Sequence, residues 1–431
     1  MKRMTRLFSM LVVVSMLLTL TGSVAFAKEK LVVDFFVTED NHRQVSEFIK
    51  SVLAERLPEY DVEFRITEGD AETAETKIRT QMAAGGCDVD VWWCHGGTYA
   101  DPLINGGYVL PLNEYLDAYR EYMTDGTKAF LDAQEQVYAI PFETSTVWCM
   151  YVNMGILNKV GVTEIPKDYA SFKEVCQKVL DGGYIPVVTG AADGWMGACW
   201  VESLAYTVTA SDTYDIVNFN GKTFSESEAY KAAVDATKEL IDLGYFPKNI
   251  ALIDRTEANS KFQAGEAAFF ADGTNFISMM NEAIGDDLAV MFYPMLNGDV
   301  ENYAASLMGG LKANCGFMVN ANSKDKEAAV KLAVTLAMLK NEYEYTYQGA
   351  FALPWDAEKL GWKAETELCK AALDVQDAIA NAKWCKNYLV DSMPSSAGLS
   401  YVFDYSTRLF SDSGYTTDSY LADLDTAVTT D

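Results

Sequence analysis

The stretch LVVDFFVTEDNHRQVSEFIKSVLAER (residues 31–56) joins a strand to a helix and begins the pattern that decides the fold. Residues 31–37 are an apolar run of strand length, and residues 38–43 form a polar loop. The stretch predicts a buried strand and then an amphipathic helix, with Asp40 or Asn41 as the helix N-cap. Beyond the loop, apolar residues recur at helical spacing at Val45, Phe48, Ile49, Val52 and Leu53.

The same alternation continues as far as Trp93. Residues 61–67 alternate as a strand does, residues 71–84 are compatible with a helix, and residues 88–93 form another strand run. Strand, helix, strand, helix, strand predicts a parallel sheet with helices on its faces. Ligands of such sheets bind beyond the carboxyl ends of the strands. The loop after the third strand, residues 93–97, lies at such an end.

A second series of strands and helices begins near residue 137. Residues 137–140 and 147–152 are predicted strands, and the segment PFETS lies between them. A further strand at 185–189 and a helix at 229–243 follow. Because no Pro- or Gly-rich linker separates the two series, we expect two lobes joined by strands rather than by a flexible tether.

Residues 1–27 have the pattern of a secretory signal peptide. A basic start precedes an apolar run at residues 7–20, and VAFA at 24–27 supplies small residues for cleavage. The run is shorter than the roughly 20 residues of a membrane helix. No Cys follows it directly, so we expect no lipid anchor there. The protein is therefore predicted to be exported, either periplasmic or extracellular.

The charge of the chain excludes one class of partner. The chain has 34 Lys+Arg against 62 Asp+Glu and a net charge of −28, which becomes −31 when Lys2, Arg3 and Arg6 leave with the signal peptide. So acidic a chain repels phosphate backbones, and we expect no nucleic-acid partner. No apolar stretch of about 18 residues follows the signal segment, so the mature chain is not predicted to span a membrane.

Motifs for catalysis, cofactors or metals do not stand out. His42 and His95 are the only two histidines, and no serine elbow, glycine-rich phosphate loop or metal-ligand spacing is present. The eight cysteines form no C-x-x-C motif. We interpret them as buried free thiols, and disulfides remain the alternative that export permits. We therefore expect no enzyme activity, no cofactor and no metal.

The order of several short patterns resembles the carbohydrate-binding solute receptors of ABC importers, the group typified by maltose-binding protein. Residues 81–116 (QMAAGGCDVDVWWCHGGTYADPLINGGYVLPLNEYL) are similar to that group's strand, helix and Gly-x-hydrophobic-x-Pro-Leu segment. Residues 138–153 resemble its crossover, and KFQAGEAAFFADG at 261–273 resembles its Phe-x-x-Gly-x-Ala-Ala element. Residues 317–339 are similar to its strand, Asn-x-Ser-Lys and helix. The resemblance covers residues 28–431.

The resemblance implies an α/β fold with two lobes of the periplasmic-binding-protein type, similar to type II. Three crossings between the lobes are expected near residues 142–145, 288–292 and 347–352. The implied division is an N-terminal lobe of residues 28–142 and 293–346, and a C-terminal lobe of residues 145–288 and 353–431.

The resemblance also implies a function. The group consists of receptors that bind a mono- or oligosaccharide between the lobes and deliver it to the membrane permease subunits of an ABC transporter. Such a protein needs no cofactor and catalyses no reaction. We expect it to act as a monomer.

Candidate ligand-binding residues lie at strand ends and at positions that the resemblance marks. Aromatic faces stack on the apolar faces of pyranose rings, and carboxylates and amides bind the hydroxyl rim. Trp92 and Trp93 are neighbours on a strand and point to opposite faces, so one should pack into the core and the other could line the cleft. The resemblance marks Trp93 as the cleft residue. Trp200 is predicted to be a core residue. The candidates are Glu39, Asp40, Asn41, Trp93, His95, Glu143, Asp193, Trp195, Asn275 and Phe403.

Three other functions remain open at this stage. A cationic ligand such as a polyamine would suit the negative charge and the aromatic residues, through ion pairs and cation–π contacts. A secreted carbohydrate-active enzyme would need two carboxylates placed on one glycosidic bond. The same fold could also serve as the input subunit of a membrane sensor kinase.

Overall fold

A computed structural model describes residues 28–37, 40–68, 71–142, 146–310, 315–386 and 388–430. Its strands are β1 Glu29–Val37, β2 Tyr60–Glu68, β3 Val91–Cys94, β4 Ala139–Ile140, β5 Thr146–Asn153, β6 Ile185–Val188, β7 Ala267–Gly273, β8 Leu288–Met291, β9 Ser306–Gly310, β10 Gly316–Val319 and β11 Trp384–Lys386. Its helices are α1 Asp40–Arg56, α2 Ala71–Ala83, α3 Asp101–Asn105, α4 Asn113–Leu116, α5 Asp125–Asp132, α6 Met154–Lys159, α7 Tyr169–Asp181, α8 Trp195–Tyr206, α9 Ala210–Val217, α10 Glu228–Asp242, α11 Arg255–Gln263, α12 Ile277–Ile284, α13 Lys326–Gln348, α14 Ala357–Leu360, α15 Lys370–Asn381, α16 Leu389–Ser392, α17 Ser396–Ser411 and α18 Thr417–Val428.

The first lobe is built on a sheet with the strand order β2-β1-β3-β10-β4. Strand β1 runs parallel to β2 and to β3, which confirms the parallel sheet predicted from the alternating pattern. Strand β10 joins β3 and β4 in antiparallel pairing. Helices α1 and α13 pack on one face, and α2 packs on the other, so β1 and β3 are covered on both sides.

The second lobe contains a larger mixed sheet with β5 at its centre. Strand β7 pairs with one side of β5, and β6 extends the sheet in parallel with β7. Strands β8 and β9 share the other side of β5, and β11 pairs with β9. Every residue of β7 is buried, which explains why its residues other than Asp272 are apolar or glycine and show no alternation.

The chain passes between the two sheets at two neighbouring places. The first passage runs from β4, which ends at Ile140, to β5, which begins at Thr146. The second runs from Gly310 at the end of β9 to Gly316 at the start of β10. The described ends of the two passages lie side by side in the first sheet, since a Cβ on Gly316 would come within 2.0 Å of the Ile140 carbonyl oxygen.

The position of the second passage corrects the expected division of the lobes. We expected the chain to leave the second lobe at residues 288–292, but residues 288–291 form β8 and pair with β5. Residues 293–310 also stay in the second lobe, because β9 pairs with β5 and Leu307 lies in that lobe's core. A short apolar strand fits either sheet equally well, so the sequence pattern gave no sign of which sheet it joins.

A third passage is longer than expected. Near the expected crossing at residues 347–352 the chain touches the second lobe, because the Ser278 hydroxyl donates to the Gln348 carbonyl and Phe351 packs against that lobe's core, but the chain then returns to the first lobe. Trp355 is buried in the first lobe's core, and its indole N–H donates to the carbonyl of Pro141 at 2.9 Å. The chain rejoins the second lobe at α15, so the segment around Trp355 belongs with the first lobe.

Candidate functional site

The carboxyl edges of the two sheets face each other. Strands β6 and β7 of the second lobe end at Val188 and Gly273, and β3 of the first lobe ends at Cys94. The passages connect these same edges, and each spans at most roughly 20 Å when extended. Tyr99, in a short 3-10 turn after β3, packs against the core clusters of both lobes. The edge where we expected ligand is therefore the edge that lies between the lobes.

Asp193 and Trp195 of the second lobe lie together after β6. Asp193 ends a 3-10 turn, and Trp195 begins α8 immediately after Gly194. The Asp193 carboxylate accepts a hydrogen bond from the backbone N–H of Arg255 at 2.8 Å. Burial raises the pKa of this carboxyl group. Both side chains are half-buried, as residues at the rim of a cleft should be.

Phe403 joins this group from α17. Its backbone and Cβ lie directly on Gly194, where a Cβ would come within 2.6 Å of Phe403 Cβ. Gly194 also has a φ of 67°, which disfavours any residue with a side chain. The glycine therefore lets α17 approach closely enough to place half-buried Phe403 beside Asp193 and Trp195.

Arg255 is the functional residue that the sequence analysis missed in this lobe. Its Nε and Nη2 donate to the two oxygens of Asp272, at 2.8 and 2.7 Å, and Asp272 is fully buried. Its guanidinium carbon lies 5.3 Å from the Trp195 ring centre and 4.3 Å from that of Phe276. Arg255 thus contacts Asp272 near the end of β7 and Trp195 just after β6. Its position just after the N-cap Asp254 looks, in sequence, like an ordinary helix start.

Trp195 packs against a second tryptophan, Trp148. Its ring meets Trp148 edge-on, with ring centres 5.6 Å apart. Trp148 is buried, and its indole N–H donates to the Tyr293 hydroxyl at 2.7 Å. Asn275, exposed after β7, lies near the same edge, because a Cβ on Gly273 would be 2.8 Å from its side-chain oxygen. The second lobe therefore brings Asp193, Trp195, Asn275 and Phe403 to one edge.

Trp93 of the first lobe does not line an open cleft. It is 3% exposed, and its ring packs against Phe36, His95 and Phe142 at centre distances of 4.3, 5.8 and 4.7 Å. Trp92 is also buried, as expected. Strand β3 is central in a sheet with helices on both faces, so the side chains on each face are covered. The expectation that Trp93 presents its face to ligand is therefore wrong for this structure.

His95 remains partly accessible at the end of β3, with 31% of its side chain exposed. Its backbone N–H donates to Glu75 Oε1 at 2.8 Å, and its Nδ1 lies 3.2 Å from the same oxygen. Glu75 is buried on α2 and was not singled out from the sequence, where it is one of many acidic helix residues. Tyr99, close to the His95 ring at 6.4 Å, was also missed.

For the four remaining candidates the structure describes no side-chain contacts. Glu39 and Glu143 lie outside the described residues. Asp40 and Asn41 begin α1 at the carboxyl end of β1, and their side chains lie outside the description. They stay predictions. Trp200 is fully buried and confirms the expectation of a core residue.

The described residues give no sign of a metal site or a membrane span. Across the described ranges, no group of three or more His, Cys, Asp or Glu is arranged to hold a metal ion. No helix in those ranges has the length and apolar character needed to cross a membrane. The seven cysteines whose side chains are described form no disulfide with one another.

Comparison with known proteins identifies the family. The bacterial extracellular solute-binding protein family matches residues 53–358, which is more than half of the chain. The chain therefore belongs to the bacterial extracellular solute-binding proteins. Proteins of this family are receptors rather than enzymes, and the family is an exported one. A search of curated proteins gave no match.

Several solved structures share the two-lobed fold over nearly the whole chain. One, from work on xylan utilization by Caldanaerobius polysaccharolyticus, is 21% identical with a TM-score of 0.78, and covers 92% of this chain and 99% of that chain. A chitin oligosaccharide binding protein is 16% identical, with a TM-score of 0.78 over 93% and 98% of the two chains. Maltose-bound T. maritima MalE3 is 19% identical, with a TM-score of 0.69 over 92% and 99%. At these identities the likeness establishes the fold.

Proposed function

We propose that this solute-binding protein binds a neutral carbohydrate between its lobes and delivers it to the permease subunits of an ABC transporter. The observation that carries the proposal is the cluster of Asp193, Trp195, Arg255 and Phe403 at the cleft edge of the second lobe. It combines half-buried aromatic rings with a carboxylate that can accept hydrogen bonds. A pyranose offers the matching surfaces, an apolar ring face and a rim of hydroxyls.

The ligands named for similar structures point in the same direction. Among them are a chitin oligosaccharide binding protein, a maltose-bound protein and a raffinose complex. We further propose that the protein is exported after removal of residues 1–27, acts as a monomer and is not an enzyme. The proposed export agrees with the signal-like start of the sequence and with the family, which is described as extracellular.

Local charge balance favours a neutral sugar over a cationic ligand. A polyamine needs several carboxylates without a cationic partner at the site. Asp272 is already paired with Arg255 in a bidentate contact, so its charge is matched inside the protein. Asp193 lies beside the same cation and accepts an N–H from its backbone.

The test is a thermal-shift panel of mono- and oligosaccharides, with spermidine and putrescine included. A ligand at about 100 times its dissociation constant should stabilise the protein by roughly 2.7 kcal/mol. We expect at least one sugar to raise the melting temperature, with an affinity that barely changes between low and high salt. Stabilisation by the amines alone, lost at high salt, would contradict the proposal. Recovery of hydrolysed sugar after incubation would contradict the assignment as a receptor.

A further inference from the structure

Glu75 is a carboxylate buried at the end of the first lobe that faces the cleft. Its side chain is 2% exposed, and it reaches from α2 to the residue that follows β3. Its Oε1 accepts the backbone N–H of His95 at 2.8 Å and lies 3.2 Å from His95 Nδ1. Within the described part of the chain, its Oε2 has no hydrogen-bond partner. A buried carboxylate is costly unless it is bonded to donors, so this one requires an explanation.

The His95 ring is held firmly in place around this contact. It stacks on Trp93 with an interplanar angle of 23° and a centre distance of 5.8 Å. Phe36 lies 5.0 Å away, and Tyr99 approaches edge-on at 6.4 Å. Because Nδ1 points to Glu75, Nε2 lies on the opposite side of the imidazole. The exposed part of the side chain, 31%, is available at the carboxyl edge of the sheet.

The groups around Glu75 are donors rather than competing acceptors. The neighbouring Cys94 is fully buried, and burial first, then the charge of Glu75, raises the pKa of its thiol. Cys94 therefore keeps its hydrogen at neutral pH. Glu75 Oε1 already accepts the backbone N–H of His95, so the hydrogen between this oxygen and the His95 ring is placed on Nδ1.

We propose that Glu75 is a positioning residue, which fixes His95 as the Nδ1–H tautomer and leaves Nε2 as a hydrogen-bond acceptor for a ligand hydroxyl. The tautomer of a histidine is set by the hydrogen bond that its other nitrogen makes. A fixed neutral acceptor suits the O–H donors of a sugar, so the second half of the inference rests on the proposed function. The first half concerns the free protein and holds or fails independently.

The tautomer can be measured directly, because His42 and His95 are the only histidines in the chain. The protein is labelled with ¹⁵N-histidine, and long-range ¹⁵N–¹H spectra are recorded near neutral pH without ligand. A His42→Gln variant assigns the two sets of signals. We expect His95 Nδ1 to carry the hydrogen and Nε2 to be unprotonated. A predominant Nε2–H form of His95 would overturn the proposal.

Two substitutions of Glu75, with side chains of nearly equal size, distinguish a positioning role of this residue from a packing role. Glu75→Gln keeps a side-chain oxygen that can accept both N–H groups, so the Nδ1–H form should persist. Glu75→Met fills the same space without an acceptor, and the Nδ1–H population should fall. An unchanged tautomer in Glu75→Met would refute the role of Glu75. If Glu75→Met does not fold, the wild-type tautomer still decides.

Sugar binding tests the second half of the inference, that His95 Nε2 accepts a hydrogen bond from a ligand hydroxyl. With a sugar found in the thermal-shift panel, the His95 Nε2 resonance should move on titration. Glu75→Met should weaken binding at least about tenfold, while Glu75→Gln should stay within roughly threefold of wild type. A sugar that binds without moving the His95 signals would overturn the positioning role but leave the receptor function intact. If no sugar binds, the receptor proposal fails and the tautomer measurement in free protein still decides the role of Glu75.

Discussion

Replacing Trp195 with alanine tests the candidate site directly, and Trp200 on the same helix gives a matched control. Trp195 is half-buried at the start of α8, against the edge of Trp148 and beside the Arg255 guanidinium. Trp200 is fully buried on the same helix, and its indole N–H donates to Thr237 at 3.1 Å. The two substitutions remove the same side chain from one helix, once at the cleft edge and once in the core.

The structure predicts opposite patterns for the two variants. An aromatic face that stacks on a sugar ring contributes on the order of 1 kcal/mol beyond the area it buries. Trp195→Ala should therefore weaken sugar binding at least about tenfold, or ~1.4 kcal/mol. Trp200→Ala leaves a cavity in the second lobe and should cost roughly 3–5 kcal/mol of stability. Trp195→Ala should cost less stability, because part of its ring already meets solvent.

The assay is isothermal titration of each folded variant with the sugar found in the panel, together with a melting curve. We expect weak binding with a modest loss of melting temperature for Trp195→Ala. For Trp200→Ala we expect a large loss of melting temperature, with near-normal affinity in the folded fraction at low temperature. Normal affinity in Trp195→Ala would show that its ring does not touch ligand. The assignment of the cleft edge of the second lobe would then be wrong, although the family assignment would stand.

Three further predictions follow from the geometry. Trp93→Leu should lower the melting temperature in calorimetry, because Trp93 is 3% exposed and packs in the first lobe's core. Burial raises the pKa of Asp193, so stability is lost as the pH rises from the unfolded-state pKa to the folded-state pKa of this group, and the loss is complete above the folded-state pKa. Asp193→Asn should therefore raise the melting temperature more at neutral pH than in mild acid. Arg255→Lys keeps the charge but loses the bidentate contact to Asp272, so titration should show weaker sugar binding.

The order of the elements could be predicted from the sequence because local patterns are enough to specify it. The apolar run at residues 31–37 forms β1, and the helical stripe after it forms α1. The parallel pairing of β1 with β2 and β3 follows from the helices that connect them. The carboxyl edge of such a sheet is also a general location for ligands. Asp193 and Trp195 were marked by the resemblance rather than by this rule, and the structure places both of them after β6, at this edge of the second sheet.

The exact membership of each lobe could not be predicted, because strand partners are a long-range property. Residues 288–291 are apolar and short, and nothing in them distinguishes pairing with β5 from a crossing between lobes. The prediction that Trp93 lines the cleft failed for a similar reason. Alternation along a strand shows that Trp92 and Trp93 point to opposite faces. It does not show that helices and Phe142 cover both faces.

The site also shows why a whole-chain charge is a poor guide to the ligand. A net charge of −28 suggested a cation, yet the charge of buried Asp272 near the cleft is matched locally. Asp272 is fully buried and paired with Arg255, which lies 17 residues earlier in the chain. Buried Glu75 receives an N–H from His95, from a different element. Each of these is a tertiary contact, and no short stretch of the sequence reveals it. Because the charge of Asp272 is paired with Arg255, a neutral ligand gains no net charge attraction at this edge, and its affinity should not depend on ionic strength.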